Sequence, residues 1–186
     1  MNPVLRPALV TLLSTTAAVC LIAFEGRPAA EQASEHEVKA TFLFNFLKFA
    51  AWPPSALGEG WPLEICLSGE SAVLPGLEVF RNRVINGHAL NVRRVVDPAD
   101  LQFCHVVFFA EAEARRTPAA LAGLGGAPVL TVGEDSRFLE QGGIINFVSE
   151  DNRVRFDINQ TAAERANLKI SAHLLRLARR TIGRRS

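Results

Sequence analysis

Apolar side chains dominate residues 35–50 and leave only a narrow polar stripe. The polar positions recur every three or four residues, which places them on one face of a helix: Glu37, Thr41, Asn45 and Lys48. Ser34, with Glu37 three residues later, has the composition of a capping box at the start of this helix. Pro53 and Pro54 follow, and proline cannot continue a helix. A helix this apolar on its remaining faces must be covered on two sides.

Downstream, short apolar runs alternate with segments of helical composition. The runs are rich in β-branched and aromatic residues and predict strands at residues 63–69, 89–96, 105–110, 127–133, 142–148 and 153–159. Helical spacing is found at residues 71–82, 111–123 and 160–181. The Glu150-Asp151-Asn152 sequence between the last two strands is typical of a hairpin turn.

This order of elements predicts an α/β fold of three layers. We expect a mostly parallel sheet with an antiparallel hairpin at its edge, followed by one long C-terminal helix over residues 160–181. If the strand order is flavodoxin-like, the strand that contains Cys66 and the strand that follows Cys104 are neighbours.

The first 30 residues have the composition of an export signal. Arg6 precedes an uncharged, mostly apolar run over residues 8–24, and small residues follow near Ala30. We therefore expect a cleaved signal peptide over residues 1–30 and a single periplasmic domain over residues 31–186. An uncleaved membrane anchor and a lipid anchor on Cys20 are the alternatives, and both also export the rest of the chain.

Cys66 and Cys104 are the only cysteines after residue 30. In an oxidising compartment the simplest expectation is one disulfide that closes a loop of about 38 residues. Two free thiols, or a metal pair that includes His105, are the alternatives. We expect no metal, because no fourth ligand lies nearby in the sequence.

Composition and motifs narrow the function classes. The chain is 48 % hydrophobic and 21 % charged, as in globular domains, and residues 31–186 carry 18 basic and 18 acidic side chains. A neutral domain lacks the basic footprint that nucleic-acid binding requires. The sequence contains no hydrolase Gly-x-Ser-x-Gly, phosphate loop or dinucleotide motif, so we expect neither an enzyme nor a cofactor.

Two charged segments are candidate binding sites. The loop over residues 133–143 leaves the carboxyl end of a buried strand, where open α/β sheets bind ligands, and carries Glu134, Asp135 and Arg137. A purely structural connection is the alternative. Five basic residues share one face of the predicted final helix: Arg165, Lys169, His173, Arg176 and Arg180. This face is either simply solvated or a contact for an acidic partner or an anionic membrane surface.

Three stretches together resemble the YfiR/HmsC family of exported bacterial proteins. They comprise residues 38–49 with Trp52-Pro53, residues 130–133 with 138–139 and 142–147, and residues 154–159 with 166–171 and 174–178. The resemblance covers residues 35–180 and implies a periplasmic α/β domain, often dimeric, with Cys66 and Cys104 in a disulfide. A second disulfide of the best-known member is missing, since Arg137, Asn146 and Phe147 occupy the corresponding region.

The resemblance also implies a regulatory function. In the best-known member, the protein represses a membrane diguanylate cyclase of the YfiN type by binding its periplasmic domain, and an OmpA-like outer-membrane lipoprotein relieves the repression. We place the partner or homodimer surface of this chain on the first helix, with a plain core as the alternative: Phe42, Phe46, Phe49 and Trp52. The alternative function is a periplasmic small-ligand sensor that feeds a membrane sensor kinase.

Overall fold

The structure is a computed structural model that describes residues 34–183, so the predicted signal peptide over residues 1–30 lies outside it. The α-helices are α1 (Glu35–Phe49), α2 (Leu74–Glu78), α3 (Thr117–Leu124), α4 (Gln160–Arg165) and α5 (Ala172–Leu177). The strands are β1 (Ala50–Ala51), β2 (Leu63–Ser68), β3 (Val84–Ile85), β4 (His88–Val95), β5 (Val106–Phe109), β6 (Leu130–Gly133), β7 (Ile145–Glu150), β8 (Arg153–Asn159), β9 (Lys169–Ile170) and β10 (Arg180–Ile182). No helix between residues 34 and 183 is both long and apolar enough to cross a membrane.

Eight of these strands form one sheet in the order β10-β8-β7-β6-β5-β2-β4-β3. Strands β4, β2, β5, β6 and β7 run parallel and have the flavodoxin-like order, so β2 and β5 are neighbours. The predicted hairpin is present, because β7 and β8 pair antiparallel. Asp151 and Asn152 connect them with φ of 50° and 57°, the conformation of a type I′ turn. The mixed, mostly parallel α/β architecture is therefore confirmed.

Side-chain alternation along the strands builds a core on each face of the sheet. In β5, Val106 and Phe108 join one cluster, and Val107 and Phe109 join the other. Helices α1, α2, α4 and α5 contribute to the first cluster, and we call this side the α1 face. Helix α3, the 3-10 turn Pro98–Phe103 and the loop after β6 contribute to the second cluster, on the α3 face.

The long C-terminal helix predicted over residues 160–181 is wrong. Asn167 has a left-handed backbone (φ 55°), which ends the helical path after α4. β9 follows and pairs with β1, and the Ser171 side chain then caps α5 by accepting a hydrogen bond from the Leu174 amide. The apolar spacing alone favours one helix, but local stop and start signals at Asn167 and Ser171 divide it.

The hairpin is also not at the edge of the sheet. Strand β10, which the helix prediction concealed, pairs parallel to β8 and covers it. Helices α2 and α3 begin later than the helical segments predicted at residues 71–82 and 111–123, and the reason is the same in both. Pro75 and Pro118 each lie in the first turn of their helix, where the missing amide costs nothing. Gly125 ends α3 in the left-handed conformation that glycine adopts readily.

Candidate functional site

Cys66 and Cys104 form a disulfide between strand β2 and the residue before β5, with Cα atoms 6.0 Å apart. Both sulfurs are buried in the cluster on the α3 face. The bond occupies both thiols that the alternative metal pair with His105 would use. The bond therefore ties neighbouring strands of the sheet together.

His105, next to the disulfide, anchors the segment that follows α1. Its Nδ1 accepts a hydrogen bond from the Glu64 amide at 3.0 Å, and its Nε2 lies 3.1 Å from the Ala56 carbonyl oxygen, to which it donates. The Trp52 indole donates to the His105 carbonyl oxygen at 3.2 Å. These contacts fix the neutral tautomer with its proton on Nε2. Burial lowers the pKa of His105, although the Ala56 carbonyl and the nearby Glu64 oppose this change.

Mild acid is expected to destabilise the protein through His105. As the pH falls below about 6.5, the imidazole of the unfolded chain takes up a proton before the folded one does. The free energy of unfolding should therefore decrease, by no more than about 1.4 kcal/mol per pH unit for one proton. Urea denaturation between pH 7.5 and 5 measures this slope. His105→Gln should flatten it, whereas the exposed control His173→Gln should not; equal slopes in all three proteins would refute the assignment.

The charged loop proposed to bind a ligand is held by internal contacts. Glu134 accepts from the Lys39 ammonium at 2.5 Å and from the Glu111 amide at 3.0 Å. Lys39 also pairs with Glu35 at 2.7 Å, and these partners raise the pKa of Lys39 against the opposing effect of its burial. Asp135 accepts from the Arg137 amide at 2.9 Å. A ligand role for these three loop residues stays a prediction, and the structure gives each a local role.

Phe138 locks this loop onto the sheet. Its side chain is fully buried on the α3 face. The centroid of its ring lies 5.8 Å from that of the Phe109 ring. Gly133 and Gly143 lie against its ring so closely that a Cβ on either glycine would overlap it. The two glycines therefore provide space for the ring.

The four aromatics proposed as a partner surface have different environments. Phe46 is only 1 % exposed and packs on Phe147 and Phe156, so it belongs to the core and cannot contribute to a surface of this fold. Phe42 is half-buried against the same two rings. Phe49 and Trp52 are partly exposed. A partner contact by these three remains a prediction.

The five basic residues do not share one helix face, because the predicted helix is divided. Arg165 ends α4, Lys169 lies in β9, and Arg180 begins β10. His173 and Arg176 are exposed three residues apart on α5. The His173 ring lies 5.0 Å from the Phe49 ring, and the Ser171 amide donates to the Phe49 carbonyl oxygen at 2.8 Å. The fold thus brings part of the aromatic set and part of the basic set together.

We define a basic-aromatic surface by exposed and partly exposed residues of α5, β9 and the end of α1. Leu177, 54 % exposed, lies one helical turn after His173. Lys169 is exposed on β9, which pairs with β1, the two-residue strand that follows α1. Its members are Phe49, Lys169, His173, Arg176 and Leu177. This surface combines one exposed and one partly exposed apolar side chain with three exposed basic ones.

Two comparisons relate this chain to known proteins. A profile of the YfiR/HmsC-like family matches residues 36–179, which is most of the chain. The chain belongs to the YfiR/HmsC-like family. Among solved structures it is similar to a conserved domain protein from Vibrio cholerae O1 biovar El Tor, with a TM-score of 0.55 and 14 % sequence identity. The match covers 81 % of this chain but only 61 % of the Vibrio chain, and it supports the fold alone.

This YfiR/HmsC-like domain also contains a polar cluster of Asp157, Arg179 and Arg180 that the sequence does not predict. Asp157, only 2 % exposed, accepts two hydrogen bonds from the Arg179 guanidinium, at 2.9 and 2.7 Å. Arg180 also approaches Asp157, with 3.3 Å between Nη2 and Oδ2. The signal in the sequence is the position of Asp157 between two apolar residues, Phe156 and Ile158. A carboxylate buried there needs a cationic partner. The helix predicted over residues 160–181 includes Arg179 and Arg180, so the prediction does not bring them to Asp157.

Proposed function

We propose that this protein is a periplasmic regulator that binds the periplasmic part of a membrane diguanylate cyclase and keeps cyclic-di-GMP synthesis low. Membership of the YfiR/HmsC-like family over residues 36–179 is the observation that carries the proposal. An OmpA-like outer-membrane lipoprotein that sequesters the protein would relieve the repression, and the protein would act as a homodimer.

We assign the cyclase contact to the basic-aromatic surface. The His173 ring lies against the partly exposed Phe49, and Lys169 and Arg176 are exposed on the nearby β9 and α5. Complementary acidic groups on a partner would accelerate association and fix its orientation. The partly exposed Phe49 and the exposed Leu177 would provide apolar area for burial against the partner.

Charge reversal on α5 tests this assignment. The His173→Glu/Arg176→Glu variant is expected to bind the cyclase about 10- to 100-fold more weakly, equivalent to about 1.4–2.7 kcal/mol, because it opposes an acidic partner surface. Cross-linking in intact cells followed by purification and mass spectrometry measures the capture, and cellular cyclic-di-GMP measures the output. The variant should raise cyclic-di-GMP as far as deletion of the protein does.

The matched control reverses two exposed arginines elsewhere, in Arg83→Glu/Arg155→Glu. This control should retain capture and repression. Equal capture by both variants would refute the surface assignment. Unchanged cyclic-di-GMP after deletion, or capture of a sensor kinase in place of a cyclase, would refute the proposed function itself.

A further inference from the structure

A cavity of about 420 Å³ lies on the α3 face, between the loop after β6 and strands β7, β8 and β10. Leu139, Val148 and Ile182 form its apolar walls. The rest of the lining is polar and includes Asn146, Asp157 and Arg180. This size and this mixture of apolar walls with a few convergent polar groups are typical of small-ligand sites.

Asn146 lines this cavity and has an unused hydrogen-bond acceptor. The residue is only 4 % exposed, and its Oδ1 atom is buried without a donor among the residues that the structure describes. The neighbouring positions on β7, Ile145 and Phe147, are apolar core residues. A buried acceptor is costly when it stays unpaired, so a ligand with a hydroxyl or ammonium donor would be favoured here.

The opposite wall carries cationic groups. Arg179 binds both oxygens of Asp157 and thereby neutralises this buried carboxylate. Arg180 reaches Asp157 through Nη2 alone, at 3.3 Å, and its side chain is 61 % exposed. Its remaining N–H groups can bind a carboxylate as a fork. Glu140, exposed on the lining, adds an acceptor for a donor group.

We propose that this cavity binds a small carboxylic acid that carries a hydroxyl or an ammonium group next to its carboxylate. The donor group meets Asn146 Oδ1, and the carboxylate meets the Arg180 guanidinium. A short aliphatic chain contacts Leu139 and Ile182. This binding site goes beyond the regulatory function proposed above and does not depend on it.

Three acids of one carbon skeleton test the proposal by calorimetric titration of the full exported chain. 2-Hydroxyisocaproate carries the hydroxyl, leucine carries the ammonium, and isocaproate carries neither. We expect saturable binding of 2-hydroxyisocaproate or leucine, and at least about tenfold weaker binding of isocaproate, because the latter leaves Asn146 unpaired. The tighter of the first two identifies the hydroxy acid or the amino acid as the ligand class.

Variants locate the binding. Asn146→Val and Arg180→Gln should each weaken binding of the preferred acid at least about tenfold. Arg83→Gln, just before β3 at the opposite edge of the sheet, should leave it unchanged. Asn146→Val should also melt no lower than the parent without ligand, because it removes an unpaired buried acceptor. Absence of binding by both donor acids at about 10 mM would overturn the proposal. Equal affinity for isocaproate, or unchanged affinity in either cavity variant, would overturn it too.

Discussion

Gly143→Ala is expected to destabilise the protein by about 3 kcal/mol or more, or to prevent folding. The added Cβ would overlap the Phe138 ring, which is fully buried and has Gly133 against its opposite side. The ring cannot move away without displacing the second core cluster, and overpacking of a rigid core typically costs about 1–3 kcal/mol, occasionally more. Urea denaturation followed by circular dichroism measures the change.

Gly123→Ala is the matched control, because a Cβ at Gly123 meets nothing within 4 Å. Gly123 lies within α3, where alanine is the better helix former, so this variant should be stabilised by about 0.5–1 kcal/mol. Phe138→Ala alone should cost about 3–5 kcal/mol. Combined with Gly143→Ala it should cost little more, since the overlap is then relieved. A Gly143→Ala variant as stable as its parent would refute the role of this glycine.

The glycine–phenylalanine contact illustrates what sequence reasoning reaches and what it does not. Periodicity and turn composition suffice for α1, for the parallel strands and for the hairpin at Asp151 and Asn152, because these signals are local. The space that Gly133 and Gly143 leave for Phe138 depends on three residues brought together by the loop closure. Nothing in the spacing of Gly133 and Gly143 distinguishes this space from an ordinary flexible loop.

The division of the C-terminal segment also depends on a contact between residues that are distant in the sequence. The apolar spacing of Ala166, Ile170 and Leu174 fits a continuous helix, yet β9 forms there because β1 offers a backbone partner at the end of α1. That pairing is a tertiary contact and overrides a weak helix propensity. Consequently the basic residues separate, and Arg180 joins a cavity instead of a helix face. Functional surfaces that depend on such long-range pairing cannot be assigned from periodicity.

Loss of the Cys66–Cys104 disulfide is expected to lower the free energy of unfolding by about 3–4 kcal/mol. The bond spans a sequence separation of 38 residues and restricts the unfolded chain, and loop entropy sets this magnitude. The loop contains β4 and the 3-10 turn Pro98–Phe103, which both pack on β2. Urea denaturation of the Cys66→Ala/Cys104→Ala variant at pH 7.5 measures the loss.

Reduction of the parent protein separates the cross-link from the packing of the sulfur atoms. Both cysteines are buried, so alanine substitution removes packing volume as well as the bond. The reduced parent keeps that volume and should therefore lose the entropic part alone, with the double variant destabilised somewhat further. If the reduced parent were as stable as the oxidised one, restriction of the unfolded chain would not be the source of the stability. The neighbouring strands β2 and β5 would then be held by their own hydrogen bonds and core contacts, and the disulfide would only report that these strands are adjacent.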